Sequence, residues 1–140
     1  MSKIALFPGS FDPITVGHVD IVIRSLDLFD KIIVGVGHNS QKNYMFPLQD
    51  RIDWIKACFE EYPQVEVKTY SGLTVDYCKE VNARFILRGL RTSVDFEFEK
   101  SIGQMNRYLE SGIETIFLLS APPNWSVIPS LNIYKISPVL

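Results

Sequence analysis

Cysteine is scarce in this chain of 140 residues: there are two, Cys58 and Cys78, with no CxxC and no histidine spaced as a further ligand. That excludes a disulfide scaffold and a zinc knuckle, and reads as two small buried apolar side chains in a reducing compartment. No apolar run approaches the roughly 18 residues that a membrane-crossing helix needs. The run near the amino terminus has the length of a strand, too short for a secretory h-region. An excess of one charge is missing as well. Fourteen Lys and Arg stand against sixteen Asp and Glu, a formal charge of −2. Binding to nucleic acid or an anionic membrane by bulk charge is thereby excluded, and any basic site must be local. There is no internal repeat, low-complexity tract or charge block. The expectation is a soluble cytoplasmic protein with neither nucleic acid nor membrane as partner.

What is present suffices for one core. Hydrophobic residues make up 46% and aromatics 12%, so a single domain over residues 1–140 folds without staples. Short β-branched runs alternate with segments of helical period. Strands are predicted at 3–7, ended by Pro8-Gly9, and at 31–36, 65–69, 84–88 and 114–119. Helices are predicted at 17–29, 48–59, 74–81 and 93–109, the last closed by Gly112. This alternation with short connections implies right-handed βαβ units. The fold class is therefore α/β: a Rossmann-like, doubly wound, parallel five-stranded sheet with helices on both faces. Ligands of such sheets bind beyond the carboxyl ends of the strands, which directs attention to residues 8–18, 37–47, 70–74, 88–95 and 120–130.

The richest of these stretches is PGSFDP (8–13) followed by TVGH (15–18). A Gly/Pro turn running into a helix start brings backbone N–H groups and a favourable dipole to an anion. Ser10 adds a hydroxyl, and His18 an imidazole able to stabilise charge that builds on a five-coordinate phosphorus. The bland alternative is a connecting loop with a solvated histidine. In RGLR (88–91), Arg88 and Arg91 flank Gly89 directly after a strand, placing two forked donors at the ligand edge. They read as phosphate contacts, with surface charge or pairing to Asp95 and Glu99 as the alternative. Asp95 and Glu99 lie one helical turn apart in DFEFE (95–99); pairing with arginine is their default, a ribose or a phosphate-bound metal the alternative. The polar loop HNSQKN (38–43) offers Lys42 as a mobile cation. Met105, further along the last helix, suits core and ligand contact equally.

Together these motifs resemble the bacterial phosphopantetheine adenylyltransferases, nucleotidyltransferases marked by a (T/H)xGH signature, from the first strand to about residue 119. The resemblance implies transfer of the adenylyl group of ATP to 4′-phosphopantetheine, giving dephospho-coenzyme A and pyrophosphate. It also implies Mg²⁺ carried mainly on the nucleotide, dephospho-coenzyme A and coenzyme A as further ligands, and a homo-oligomer, a hexamer in the family. It assigns His18, Lys42 and Arg91 to catalysis. Ser10, Lys42, Thr74, Arg88, Met105 and Asn106 fall where the family binds phosphopantetheine. Ser10, Phe11, His18, Gly89, Leu90, Arg91, Glu99, Ser126 and Ser130 fall where it binds ATP. The chemistry agrees with the residues: an ionised phosphate monoester is already a nucleophile, so positioning and charge neutralisation suffice.

Segment 121–140 departs from the family. In place of a signature resembling ISSTxxR the sequence reads SVIPSLNIYK (126–135). Pro129 there removes a hydroxyl and a backbone N–H, and against the family the sequence is expected to stop short of the usual C-terminal helical segment. Two other functions therefore stay open. One is a protein that binds phosphopantetheine or coenzyme A without turnover; the other is a nucleotidyltransferase with a different phosphorylated acceptor.

Overall fold

The computed structural model describes residues 2–120. Strands and helices alternate throughout: β1 (Ile4–Gly9), α1 (Val16–Ser25), β2 (Lys31–Gly37), α2 (Leu48–Cys58), β3 (Val65–Tyr70), α3 (Thr74–Glu80), β4 (Phe85–Leu90), α4 (Ser93–Leu109) and β5 (Glu114–Leu119). The strands form one five-stranded sheet in the order β3-β2-β1-β4-β5, parallel at every pairing. The chain starts at the centre, winds to one edge, crosses back and winds to the other. The winding direction reverses between β1 and β4, and the carboxyl ends of these two strands flank the crevice where such sheets hold ligands.

Parallel strands covered on both faces carry continuous apolar runs whose side chains alternate between two cores. Ala5, Phe7, Ile32, Val34 and Leu87 join Val19 and Val22 of α1 and Ile55 and Cys58 of α2 in the larger one. Leu6, Ile33 and Ile86 join Val75 and Cys78 of α3 in the smaller. Both cysteines are fully buried and neither forms a disulfide, and burial pushes the Cys78 thiol up to about 12, far from reactive thiolate.

The elements differ from the sequence expectation mainly at their ends. β1 does not stop before Pro8-Gly9, and β4 continues past residue 88 to Leu90. Pro8 and Gly9 stay in register with Gly35 and Val36, and Arg88, Gly89 and Leu90 with Phe117, Leu118 and Leu119. Local turn chemistry favours an exit at these residues, but the neighbouring strand holds the ladder together. Helix α1 ends at Ser25 rather than near residue 29. The Ser25 hydroxyl donates to the Ile21 carbonyl at 2.6 Å, and the chain turns as Leu28 N–H donates to the Ser25 carbonyl. Phe29, which fits the helical period, instead packs its ring against Phe85, 5.4 Å away.

Helix α4 lies close to β5: a Cβ on Gly103 would sit 3.5 Å from Thr115, and Phe96 meets Phe117 edge-on. Its other apolar residues stay open, with Val94 77%, Phe98 67% and Met105 57% exposed.

Candidate active site

Two contiguous clefts open beyond the carboxyl ends of β1 and β4. The larger, about 530 Å³, is lined by Ser10, Phe11, His18, Gly89, Arg91 and Glu99 among others. The smaller, about 250 Å³, is lined by Thr74, Ile102, Gly103, Asn106 and Thr115. Pro8, Gly9, Arg88 and Glu99 belong to both, so they form the wall between them.

His18 is held at the start of α1 by its own helix cap. The Thr15 hydroxyl accepts from the His18 backbone N–H at 3.4 Å, and the Thr15 backbone N–H donates to His18 Nδ1 at 2.9 Å. This is a capping box with histidine in the role usually taken by Glu or Gln. Because Nδ1 accepts that bond, the neutral ring carries its proton on Nε2. The ring also rests edge-on against Phe11, centroids 5.0 Å apart. Burial first, then the positive charges of Arg91 and Arg88, push the imidazole down to about 4. At neutral pH it is an uncharged N–H donor facing a cationic cleft.

Phe11 has a φ of 48°, in the left-handed region that non-glycine residues occupy rarely and mostly where something holds them there. Its ring is 3% exposed and backs the imidazole. A Cβ on Gly9 would lie 3.1 Å from that ring, so Gly9 gives it room. Gly89 does the same beside Ile21, whose side chain a Cβ would meet at 3.1 Å, keeping the floor of the larger cleft open.

Arg88 is oriented by two partners. Its Nε and Nη2 donate to both oxygens of Glu99, at 2.8 and 2.6 Å, and its Nη1 donates to the Pro8 carbonyl at 2.9 Å. Such a forked, part-buried pair fixes the guanidinium plane. Arg91 is more exposed and pairs with Asp95 at 3.3 Å. The default pairing of both acids with arginine is therefore what the structure has, with Glu99 serving Arg88. In the smaller cleft the hydroxyls of Thr74 and Tyr70 share a hydrogen bond of 3.0 Å, and the Tyr70 ring stacks on Tyr77.

Three of the candidate residues are not brought into either cleft. Lys42 sits on the exposed loop after β2, its ammonium 5.7 Å from the Tyr44 ring centre. Leu90 is buried as the last residue of β4, and Met105 lies on the open face of α4. Ser126, Ser130 and the whole departing segment 121–140 fall outside the described residues. Sequence reasoning missed Asp12, whose carboxylate accepts from the backbone N–H groups of Met45 and Phe46 at 2.5 and 2.8 Å, joining the Ser10 turn to the Lys42 loop. It missed Arg51 too. The signal for Arg51 was its place: with Ile55 and Cys58 it follows helical spacing on the buried face of α2.

Among the described residues no three His, Cys, Asp or Glu side chains gather as a metal cage. The acids facing the larger cleft, Asp12, Asp95 and Glu99, each accept from N–H donors of the protein. These carboxylates are thus already engaged by the protein's own donors, and what they leave for a divalent cation is oxygen lone pairs at the cleft edge.

A family model described as cytidylyltransferase-like matches residues 6–136. The phosphopantetheine adenylyltransferase of Christiangramia forsetii is 60% identical over 119 residues, covering 85% of this chain and 78% of the relative. That of Cytophaga hutchinsonii is 54% identical over 122 residues, covering 87% and 81%. That of Geotalea daltonii is 47% identical over 135 residues, covering 96% and 83%. Among solved structures, a bifunctional NMN adenylyltransferase/ADP ribose pyrophosphatase from Francisella tularensis aligns with a TM-score of 0.66 at 15% identity, over 89% of this chain and 40% of that one. A lipopolysaccharide core biosynthesis protein from Thermoplasma volcanium aligns at 0.61 and 20% identity, over 89% and 100%. At these identities the two structures share the fold alone.

Proposed function

The chain belongs to the phosphopantetheine adenylyltransferases of the cytidylyltransferase-like family, and from that premise we propose how its residues divide the reaction. The enzyme transfers the adenylyl group of ATP to 4′-phosphopantetheine, a step of coenzyme A biosynthesis. An oxygen of the acceptor's phosphate bonds to the α-phosphorus, the bond from that phosphorus to the bridging oxygen breaks, and pyrophosphate leaves. The nucleophile is ionised at neutral pH, so the protein supplies position and charge rather than a base.

In this reading the larger cleft takes ATP and the smaller one the pantetheine arm, and the wall they share is where the two phosphates meet. The observation that carries it is the gathering of His18 with Arg88 and Arg91, from two stretches of chain some seventy residues apart, around one cleft. His18 donates from Nε2 to a non-bridging oxygen of the α-phosphate as charge builds there. Ser10, Arg88 and Lys42 hold the acceptor phosphate, Lys42 by swinging in from its loop. Arg91 and Gly89 flank the triphosphate, while Phe11 and Glu99 hold His18 and Arg88 in place. Thr74 and Asn106 serve the amide-bearing arm with a hydroxyl and a carboxamide.

Nucleotidyltransferases generally use a divalent metal ion. Mg²⁺ suits the acids described above: bound on the triphosphate it neutralises charge on the leaving group, and Asp95 is the side chain best suited to meet its waters. Dephospho-coenzyme A and coenzyme A fit the same pair of clefts as product and product analogue. The family match over residues 6–136 supports one nucleotidyltransferase domain spanning 1–140. The cytoplasm, where the two cysteines remain reduced, is the proposed compartment. The open apolar face of α4 supports a homo-oligomer, with the family's hexamer as the proposed state.

The test is pyrophosphate release from ATP by the purified chain. The account predicts release that requires 4′-phosphopantetheine and yields an equal amount of dephospho-coenzyme A. Release with a different phosphorylated acceptor, or tight coenzyme A binding without turnover, contradicts it.

A further inference from the structure

Arg51 is 1% exposed on the inward face of α2. No carboxylate lies within ion-pair distance of it among the described residues. Its Nη2 is buried without a hydrogen-bond partner among the described residues. Burying a guanidinium without an acid is costly, and a fold that needed only volume there is better served by an apolar side chain. The remaining nitrogens show where it is anchored. Nη1 donates to the Ser10 carbonyl at 2.8 Å, and Nε donates to the Phe46 carbonyl at 3.1 Å. The guanidinium carbon lies 4.2 Å from the centre of the Tyr44 ring. One planar cation thus joins the turn after β1, the loop after β2 and helix α2.

We infer that Arg51 is a positioning residue for adenylyl transfer, seating the loop that carries Lys42 against the Ser10 turn. The inference rests on the reading of Lys42 and Ser10 given above. The loop between Gly37 and Leu48 is otherwise tied at its ends, where the His38 N–H donates to the Tyr70 carbonyl at 2.9 Å and Phe46 meets Trp54 edge-on. Asp12 holds the Met45 and Phe46 N–H groups and, within the loop, the Tyr44 hydroxyl accepts from the Asn39 N–H at 2.8 Å. Asp12 grips the loop from the Ser10 side and Arg51 grips both from beneath, so loop and turn move as one body. Only a fork with donors on separate nitrogens reaches two carbonyls while lying on a ring, and a lysine in its place keeps the charge but loses the fork. The unpaired charge behind Ser10 also adds to the positive potential of the phosphate site.

The experiment is a double-mutant cycle of Arg51→Lys and Lys42→Ala in the intact enzyme, read as KM for 4′-phosphopantetheine, with amide exchange followed in the same proteins. Lys42→Ala alone is expected to raise that KM by about tenfold, and Arg51→Lys to raise it about as much in the wild-type background but less than about twofold beside Lys42→Ala. In Arg51→Lys the amides of Met45 and Phe46 exchange faster, while those of β2 keep their protection. Equal losses in both backgrounds, or unchanged exchange at Met45 and Phe46, overturn the inference. An unchanged KM in Lys42→Ala instead overturns the reading of Lys42, and the exchange rates then decide Arg51 by themselves. Should Arg51→Lys fail to fold, Tyr44→Leu takes its place in the cycle, since it removes the ring under the guanidinium from a half-buried loop position.

Discussion

An imidazole that is neutral and locked in one tautomer is a different tool from an imidazolium. The Thr15 N–H fixes Nδ1 as an acceptor, leaving Nε2–H as a donor whose direction is set before substrate arrives, which is the form of preorganisation that lowers a barrier. The depression of its pKa to about 4, caused by burial and then by Arg91 and Arg88, has a consequence for stability. In the unfolded chain the same ring takes up its proton near 6.5. Between pH 6.5 and 4 the unfolded chain therefore holds a proton that the native protein refuses, so this contribution to stability is lost as pH falls through that window. Above it His18 adds no pH dependence. Urea unfolding of the wild type and His18→Gln at pH 7.5 and pH 5 checks this: the wild type is expected to lose more stability between the two than the variant. Equal losses mean that the native ring titrates as a free imidazole does.

At the scale of elements, α4 stands apart. It is a 17-residue helix with an N-cap at Thr92 and no buried residue among those described, although Val94, Phe98, Met105 and Leu109 are all apolar. A helix buried along one stripe against the sheet normally leaves polar residues outside. The association of copies proposed above accounts for this pattern if it uses this face. Phe98→Glu combined with Met105→Glu is expected to shift the sedimenting species from an oligomer to a smaller one with circular dichroism unchanged. An unaltered sedimentation coefficient removes α4 from the interface. The bounds of α4 and β5 were legible in the sequence, because Gly112 and a β-branched run punctuate them. The ends of α1, β1 and β4 were not. Phe29 satisfies the helical period whether it lies on a helix or in the turn beyond, and Pro8-Gly9 and Gly89-Leu90 are kept in strands by neighbours 27 or more residues away in sequence. Arg51 was hidden for a related reason: an arginine on an amphipathic helix reads as solvated unless the face is known.

On the scale of the whole molecule, the functional geometry follows from the order β3-β2-β1-β4-β5. Parallel strands send every connection that follows a strand to the same end of the sheet, and the reversal between β1 and β4 parts two of them into a crevice. That is why contact among the turn after β1, the start of α1 and the RGLR stretch could be read from strand alternation alone. The position of Lys42 could not, because it depends on the path of a ten-residue loop (38–47) rather than on the sheet. The account stands on one division of labour: residues around the wall between the clefts bind, and His18 acts on the α-phosphorus as charge develops there. The direct measurement is kcat for His18→Ala beside calorimetric affinities for ATP and 4′-phosphopantetheine. The account predicts a fall in kcat of about a thousandfold with both affinities within about threefold of wild type. A wild-type kcat, or a loss of affinity as large as the loss of rate, contradicts it.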